Sequence, residues 1–357
     1  MKYFVCGQCH SQIFFANSHC MKCNALLGYI ASEKDMGTFT KLDDGIWIAS
    51  NDSYQTKEFK PCYNYTNYQV CNWMIPANQE NIYCESCQLT HVIPNLNNPD
   101  NIVYWSRIEH AKRRFLYLMQ RLSIMPRPKK SSDDRYGLSF IFMMPEPYQP
   151  VMTGHANGVI TLNASEADVV YRETTRIKMG ENYRTLLGHF RHESGHYYFD
   201  LMIAHKPDFI EEFRMLFGDE RKDYSEALKK HYNEGPPKDW QSKFVSSYAS
   251  THPWEDWAET WAHYLHMMDT LETAYHAGLV VKTNKNDLNS MEILEDPIGA
   301  KDFEKFLQNW MTITFNLNAL NRSMGLEDAY PFTLSNPVLD KFRFIHYHVL
   351  NISFRDN

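Results

Sequence analysis

Gly188-His189-Phe190-Arg191-His192-Glu193-Ser194-Gly195-His196-Tyr197 contains the pentad His-Glu-x-x-His at 192–196. On an α-helix His192 and His196 lie one turn apart, so both imidazoles leave the same face and can grip one zinc ion. Glu193 stands beside them as a base. The spacing predicts a packed helix over 183–202: Leu186, Leu187, Phe190, His196, Tyr197 and Leu201 recur at buried-helix intervals, with no proline before Pro207. That rigidity suits a metal site, because ligands on a packed helix keep a geometry that a loop would lose.

Two histidines leave a catalytic zinc short of one protein ligand. A metzincin continuation needs glycine at 199 and histidine at 202, where Phe199 and Met202 stand, so that class is excluded. The other common source is a glutamate on a second helix, followed one turn later by an acidic residue that steadies a ligating imidazole. Residues 253–269 fit it. Pro253 suits a helix start, Glu255 and Glu259 are one turn apart, and Trp257, Trp261, Leu265 and Met268 can pack. A carboxylate among Trp254, Trp257 and Trp261 needs a cation or a donor beside it. Glu255 is therefore expected as the third zinc ligand and Glu259 as the residue that orients a zinc histidine. His189, His205, His263 and His266 read as packed or capping histidines, since one active zinc needs only three protein ligands.

All eight cysteines lie in the first 87 residues, as Cys6-x-x-Cys9, Cys20-x-x-Cys23, Cys62, Cys71 and Cys84-x-x-Cys87. Paired Cys-x-x-Cys turns put four thiolates around one tetrahedral ion, so the first four read as a structural zinc ribbon. The even count and terminal Cys-x-x-Cys favour a second four-thiolate site from Cys62, Cys71, Cys84 and Cys87. Spacing does not separate zinc from iron here. A disulfide framework is the rival, but Met1-Lys2-Tyr3-Phe4-Val5 reaches its first cysteine without an apolar leader, which points to the reducing cytoplasm.

With 357 residues, 43% hydrophobic and 14% aromatic, the chain can bury a sizeable core. No stretch is apolar enough to span a bilayer. A net charge of -7 argues against a general nucleic-acid surface, and the short runs Lys112-Arg113-Arg114 and Arg127 to Lys130 read as solvated. Asn95 to Pro99 marks a boundary between a cysteine-rich part, residues 1–95, and a second domain, residues 96–357. A helix is expected over about 101–124. Strands are expected at Leu138 to Phe142 and, after Asn157-Gly158, at Val159 to Leu162; the rest from about 164 to 350 reads mainly helical. The fold class is thus α+β, a zinc-ribbon region followed by a mainly helical domain with a small sheet. The 271–300 segment, polar around Lys282 to Asn289, is open between a lid and a surface loop.

Tyr248 to Glu259 resembles the second half of the site in zincin peptidases of the anthrax lethal factor type. Over nearly its full length the chain is similar to the bacterial family of zinc-binding metallopeptidases that carry an N-terminal zinc-ribbon domain. The likeness rests on the opening Cys-x-x-Cys repeat, Cys71-Asn72-Trp73, the run Tyr183 to Glu193, and Tyr248 to Glu259. It implies that Tyr248, seven residues before Glu255, helps hold the oxyanion. It also implies a small sheet whose edge strand, Gly158 to Asn163, pairs with an extended substrate.

Metal-assisted amide hydrolysis follows as the expected chemistry, with one catalytic zinc, one or two structural zinc ions, Glu193 as general base and a peptide or protein substrate. The competing expectation is a binding or regulatory protein whose ribbons recognise a nucleic acid or a protein partner, on a zincin scaffold that performs no catalysis.

Overall fold

The computed structural model describes residues 1–43, 45–50, 57–282, 291–293 and 295–353. Contacts group the chain into two compact units: residues 2–121 with 125–190, and residues 191–357 with 122–124 and Met1.

In the first unit a two-stranded hairpin, β1 (Phe4–Val5) and β2 (Gln12–Ile13), presents the opening cysteines. Five strands then close a barrel: β3 (Leu26–Ile30), β4 (Asp35–Lys41), β5 (Trp47–Ala49), β6 (Glu58–Pro61) and, after the short helix α1 (Tyr63–Thr66), β7 (Trp73–Pro76). Neighbours pair antiparallel, and β7 returns to pair parallel with β3, Tyr29 opposite Trp73. Closure leaves no unpaired strand edge. Buried Tyr29, Phe39, Trp47, Phe59 and Trp73 belong to its strands and fill the core.

A four-stranded sheet follows in the order β10-β11-β9-β8, made of β8 (Thr90–Val92), β9 (Ser139–Met143), β10 (Gly154–Ala156) and β11 (Val159–Asn163). Between β8 and β9 runs α2 (Asp100–Arg121), and α3 (Val169–Met179) follows the sheet. Leu138, Phe140 and Phe142 are fully buried, as their alternation demanded.

Two expectations need correction. The strand at Gly158 to Asn163 is not an edge, because β11 pairs antiparallel with β10 and parallel with β9. The cause is local: Asn157 (φ 48°) and Gly158 (φ 73°) form a two-residue turn of left-handed residues, which folds Gly154–Ala156 back beside β11 and makes β10 the edge. A Cβ on Gly158 would sit 2.3 Å from the Gly137 carbonyl oxygen. Nor is Lys112-Arg113-Arg114 a solvated run. Lys112 is wholly buried, its ammonium 2.8 Å from the equally buried Glu109 carboxylate, and Arg113 is buried too, donating to the Val70 carbonyl.

The second unit is helical. The helix α4 (Leu186–Met202) enters it at Arg191 and is followed by α5 (Pro207–Phe217), α6 (Tyr224–Glu234) and the long α7 (Pro253–His276). A small ribbon pairs β12 (Val280–Val281) with β13 (Met291–Glu292), then come α8 (Phe303–Ser323) and α9 (Asn336–Ser353). Of the polar stretch Lys282 to Asn289, residues 283–289 lie outside the described residues. Among the described residues no helix is long and apolar enough to cross a membrane.

Candidate metal site

The two middle residues of the pentad dock α4 onto α7. A Cβ on Gly195 would lie 2.8 Å from the Ala258 Cα, so only glycine lets the two backbones approach this closely. Trp257 donates its indole N–H to the Gly195 carbonyl at 2.8 Å, and Trp261 donates to Ser194 Oγ at 3.2 Å. The tryptophans read from sequence as packing residues therefore also pin α7 in register. The start of α7 is fixed by His252, whose Nδ1 accepts from the Trp254 N–H at 3.1 Å while its Nε2 donates to the Lys222 carbonyl at 3.1 Å.

That docking brings Glu255 Oε2 to 3.1 Å from His192 Nε2 and 3.5 Å from His196 Nε2. Ligands 2.0–2.2 Å from a tetrahedral zinc lie roughly 3.4 Å apart, so these three atoms have the donor types and spacing of a zinc triad. Glu193 also lies close: its carboxylate and the two imidazoles offer atoms within 4.8 Å of one another. On the far side of His192, Nδ1 is 2.7 Å from Glu259 Oε1, and Ser246 donates to Glu259 Oε2 at 2.5 Å. The Ser246 hydroxyl in turn accepts from the Ala249 N–H at 3.1 Å, inside the single 3-10 turn Tyr248–Ser250. One chain of contacts thus runs from His192 to the turn that carries Tyr248.

Charges follow this geometry. Burial alone would lower the His192 pKa, but the Glu255 and Glu259 carboxylates outweigh it and hold it well above the usual imidazole range. Burial likewise resists ionisation of Glu255, yet the facing His196 and His192 keep it well below the usual carboxylate range. The Tyr248 hydroxyl is pushed far up by burial and by the Glu255 charge, so it stays protonated and remains a donor. Its ring lies 5.9 Å from that of His192.

Three neighbours complete the surroundings of the cluster. Tyr224, on α6, donates to Glu255 Oε1 at 2.6 Å; Ser246 backs Glu259; and the Trp254 ring lies 3.8 Å from the His196 ring, tilted by 40°. Trp254, directly before Glu255, is visible in sequence, but nothing ties Tyr224 to a residue 31 positions away. The histidines set aside from the site have other roles. His189 meets Glu166 at 3.2 Å and His263 meets the Tyr330 hydroxyl at 2.7 Å, while the His266 ring lies against Trp310 and Tyr330 and His205 is exposed.

Both cysteine groups assemble. Cys6, Cys9, Cys20 and Cys23 form one set and Cys62, Cys71, Cys84 and Cys87 another, each with its sulfurs within 4.8 Å of one another. All eight are free thiols. The Cys6–Cys23 and Cys9–Cys20 sulfurs lie 3.6 Å apart and Cys71–Cys84 3.7 Å, close to the roughly 3.8 Å edge of a tetrahedral zinc–thiolate site and far from a disulfide. The second quartet also receives backbone N–H groups, Trp73 to Cys71 and Cys84 to Cys62, both at 3.4 Å.

Residues 101–348 match the family described as "Putative zinc-binding metallo-peptidase", and residues 3–98 match a zinc-ribbon domain family. An uncharacterized protein of Mycobacterium tuberculosis strain H37Rv is 41% identical over 346 residues, which cover 97% of this chain and 94% of that protein. An uncharacterized protein of Mycobacterium bovis shows the same identity and coverage. No solved structure matches the chain.

Proposed function

The chain belongs to the zinc-binding metallo-peptidase family, and from that premise we propose that it is a zinc-dependent peptidase whose ion is held by His192, His196 and Glu255. The observation that carries this reading is the approach of Glu255 Oε2 to both imidazoles, 3.1 and 3.5 Å, across two separate helices. When bound there, zinc would supply Lewis-acid polarisation of the scissile carbonyl and a lowered pKa for water. Glu193 takes the proton of the attacking water and returns it to the leaving nitrogen. Tyr248 donates a hydrogen bond to the oxyanion, a contact that strengthens as charge develops. With the ion bound in place of the Nε2 proton, Glu259 would accept from His192 Nδ1–H and leave the Nε2 lone pair for the metal.

Two further ions belong to the cysteine quartets on this reading, one in each, within a ribbon module of residues 1–95; residues 96–357 form the peptidase module. Free thiolates in such sites favour a reducing compartment, the cytoplasm. The substrate is a peptide or protein.

The test is cleavage of a proteome-derived peptide library, with and without a chelator, beside Glu193→Gln. The expected result is chelator-sensitive cleavage that falls about 100- to 10,000-fold in Glu193→Gln while its zinc content is unchanged. Hydrolysis retained by that variant removes Glu193 from the mechanism. Nucleic-acid or protein binding by the ribbons without any cleavage replaces the peptidase with a binding protein on a non-catalytic scaffold.

A further inference from the structure

We propose that Tyr224 is a positioning residue of the metal site: its hydroxyl holds Glu255 Oε1 so that Oε2 alone faces His192 and His196. The inference rests on the zinc reading of that site. The two oxygens of Glu255 have distinct surroundings, Oε1 receiving the Tyr224 hydroxyl at 2.6 Å and Oε2 lying 3.1 and 3.5 Å from the imidazole nitrogens. A carboxylate bound through one oxygen can rotate about its last bond unless the other oxygen is held.

Tyr224 is itself held in place. It is the first residue of α6, whose cap Asp223 accepts from the Glu226 N–H at 2.8 Å. One imidazole, His252, ties the Lys222 carbonyl just before α6 to the first turn of α7, so the hydroxyl and the carboxylate are set by the same anchor. The Tyr224 ring meets His252 and Trp254 edge-on at 5.5 and 5.7 Å. Tyr248 is also close enough to feel the Glu255 charge, but the two tyrosines have different work. Tyr248 acts on the substrate, Tyr224 on the ligand.

Zinc affinity of the full chain is measured by competition with a chromogenic chelator for the wild type, His192→Ala, Tyr224→Phe and Tyr248→Phe. The ion lost in His192→Ala identifies this site and separates it from the cysteine-bound ions. Tyr224→Phe, which keeps the ring contacts, is expected to bind that ion about 10- to 100-fold more weakly, to melt like the wild type when metal-free, and to regain most of its kcat in excess zinc. Tyr248→Phe is expected to show the opposite pattern, full affinity and a low kcat that zinc does not restore. Affinity within about twofold of wild type in Tyr224→Phe, or a fall in its metal-free melting temperature that accounts for the loss, overturns the proposal. Equal zinc release by wild type and His192→Ala shows instead that the metal site itself was misread.

Discussion

The cysteine quartets and the histidine–glutamate cluster gather their donors in opposite ways. Cys6 and Cys9, in the β1–β2 hairpin, join Cys20 and Cys23, in the turn before β3, and Cys62, Cys71, Cys84 and Cys87 close around the β6–β7 connection of the barrel. The histidine–glutamate cluster draws on residues 192 and 255, and depends on two helices meeting at one glycine. A site built from adjacent turns is written in spacing; a site built from helix docking is written in packing. Four thiolates also saturate a tetrahedral ion, whereas three donors leave a position for chemistry.

The contrast breaks most sharply at Tyr248. If the turn after Ser246 delivers a working donor, Tyr248→Phe loses on the order of 10- to 1000-fold in rate with all cysteine-bound ions retained; a smaller loss returns Tyr248 to a packing role. Next in size is the docking point. Gly195→Ala forces a methyl against the Ala258 backbone, and is expected to cost about 1–3 kcal/mol in chemical unfolding and to weaken zinc at the histidines without touching the quartets. Unchanged zinc affinity in that variant would mean the close approach is not what sets the Glu255 distance.

The smallest effect tests the turn of α4 just before the pentad, where Glu166 accepts from Arg184 and meets His189. Burial would raise the Glu166 pKa, but His189 and Arg184 overcome it and hold it down at about 2. A carboxyl depressed in the folded state adds stability that is complete above its unfolded value of about 4.3 and is lost as pH falls toward the folded one. The stability gap between wild type and Glu166→Gln should therefore shrink by on the order of 1 kcal/mol between pH 5 and pH 2.5 in urea titrations. A gap that stays constant removes the ion pair as its source.

Much of this was legible in the chain. The pentad helix, the second helix with Glu255 and Glu259, and both quartets were readable because each rests on a short repeat: an i,i+4 step or a Cys-x-x-Cys turn. The barrel was not, since strands such as Trp47–Ala49 and Glu58–Pro61 are too short to show a period and its closure joins β3 to a strand more than forty residues later. The edge strand was misassigned because Gly154-His155-Ala156 carries no alternation of its own and pairs only through the Asn157-Gly158 turn. Buried Lys112 looked solvated because sequence does not reveal that Glu109, one turn back, is buried with it. Tyr224 was invisible for the same reason: its role is a single hydrogen bond across two helices.

Lys341, on α9, lies 2.6 Å from the Asp256 carboxylate and 2.7 Å from the Lys243 carbonyl, and both ends of that ion pair are buried. Asp256 adjoins Glu255 on α7; burial pushes its carboxyl up to about 7, against the pull of the Lys341 ammonium. Removing one partner of such a buried pair costs roughly 3–5 kcal/mol. A change on α9 therefore reaches the histidine–glutamate cluster from behind, through the residue next to Glu255.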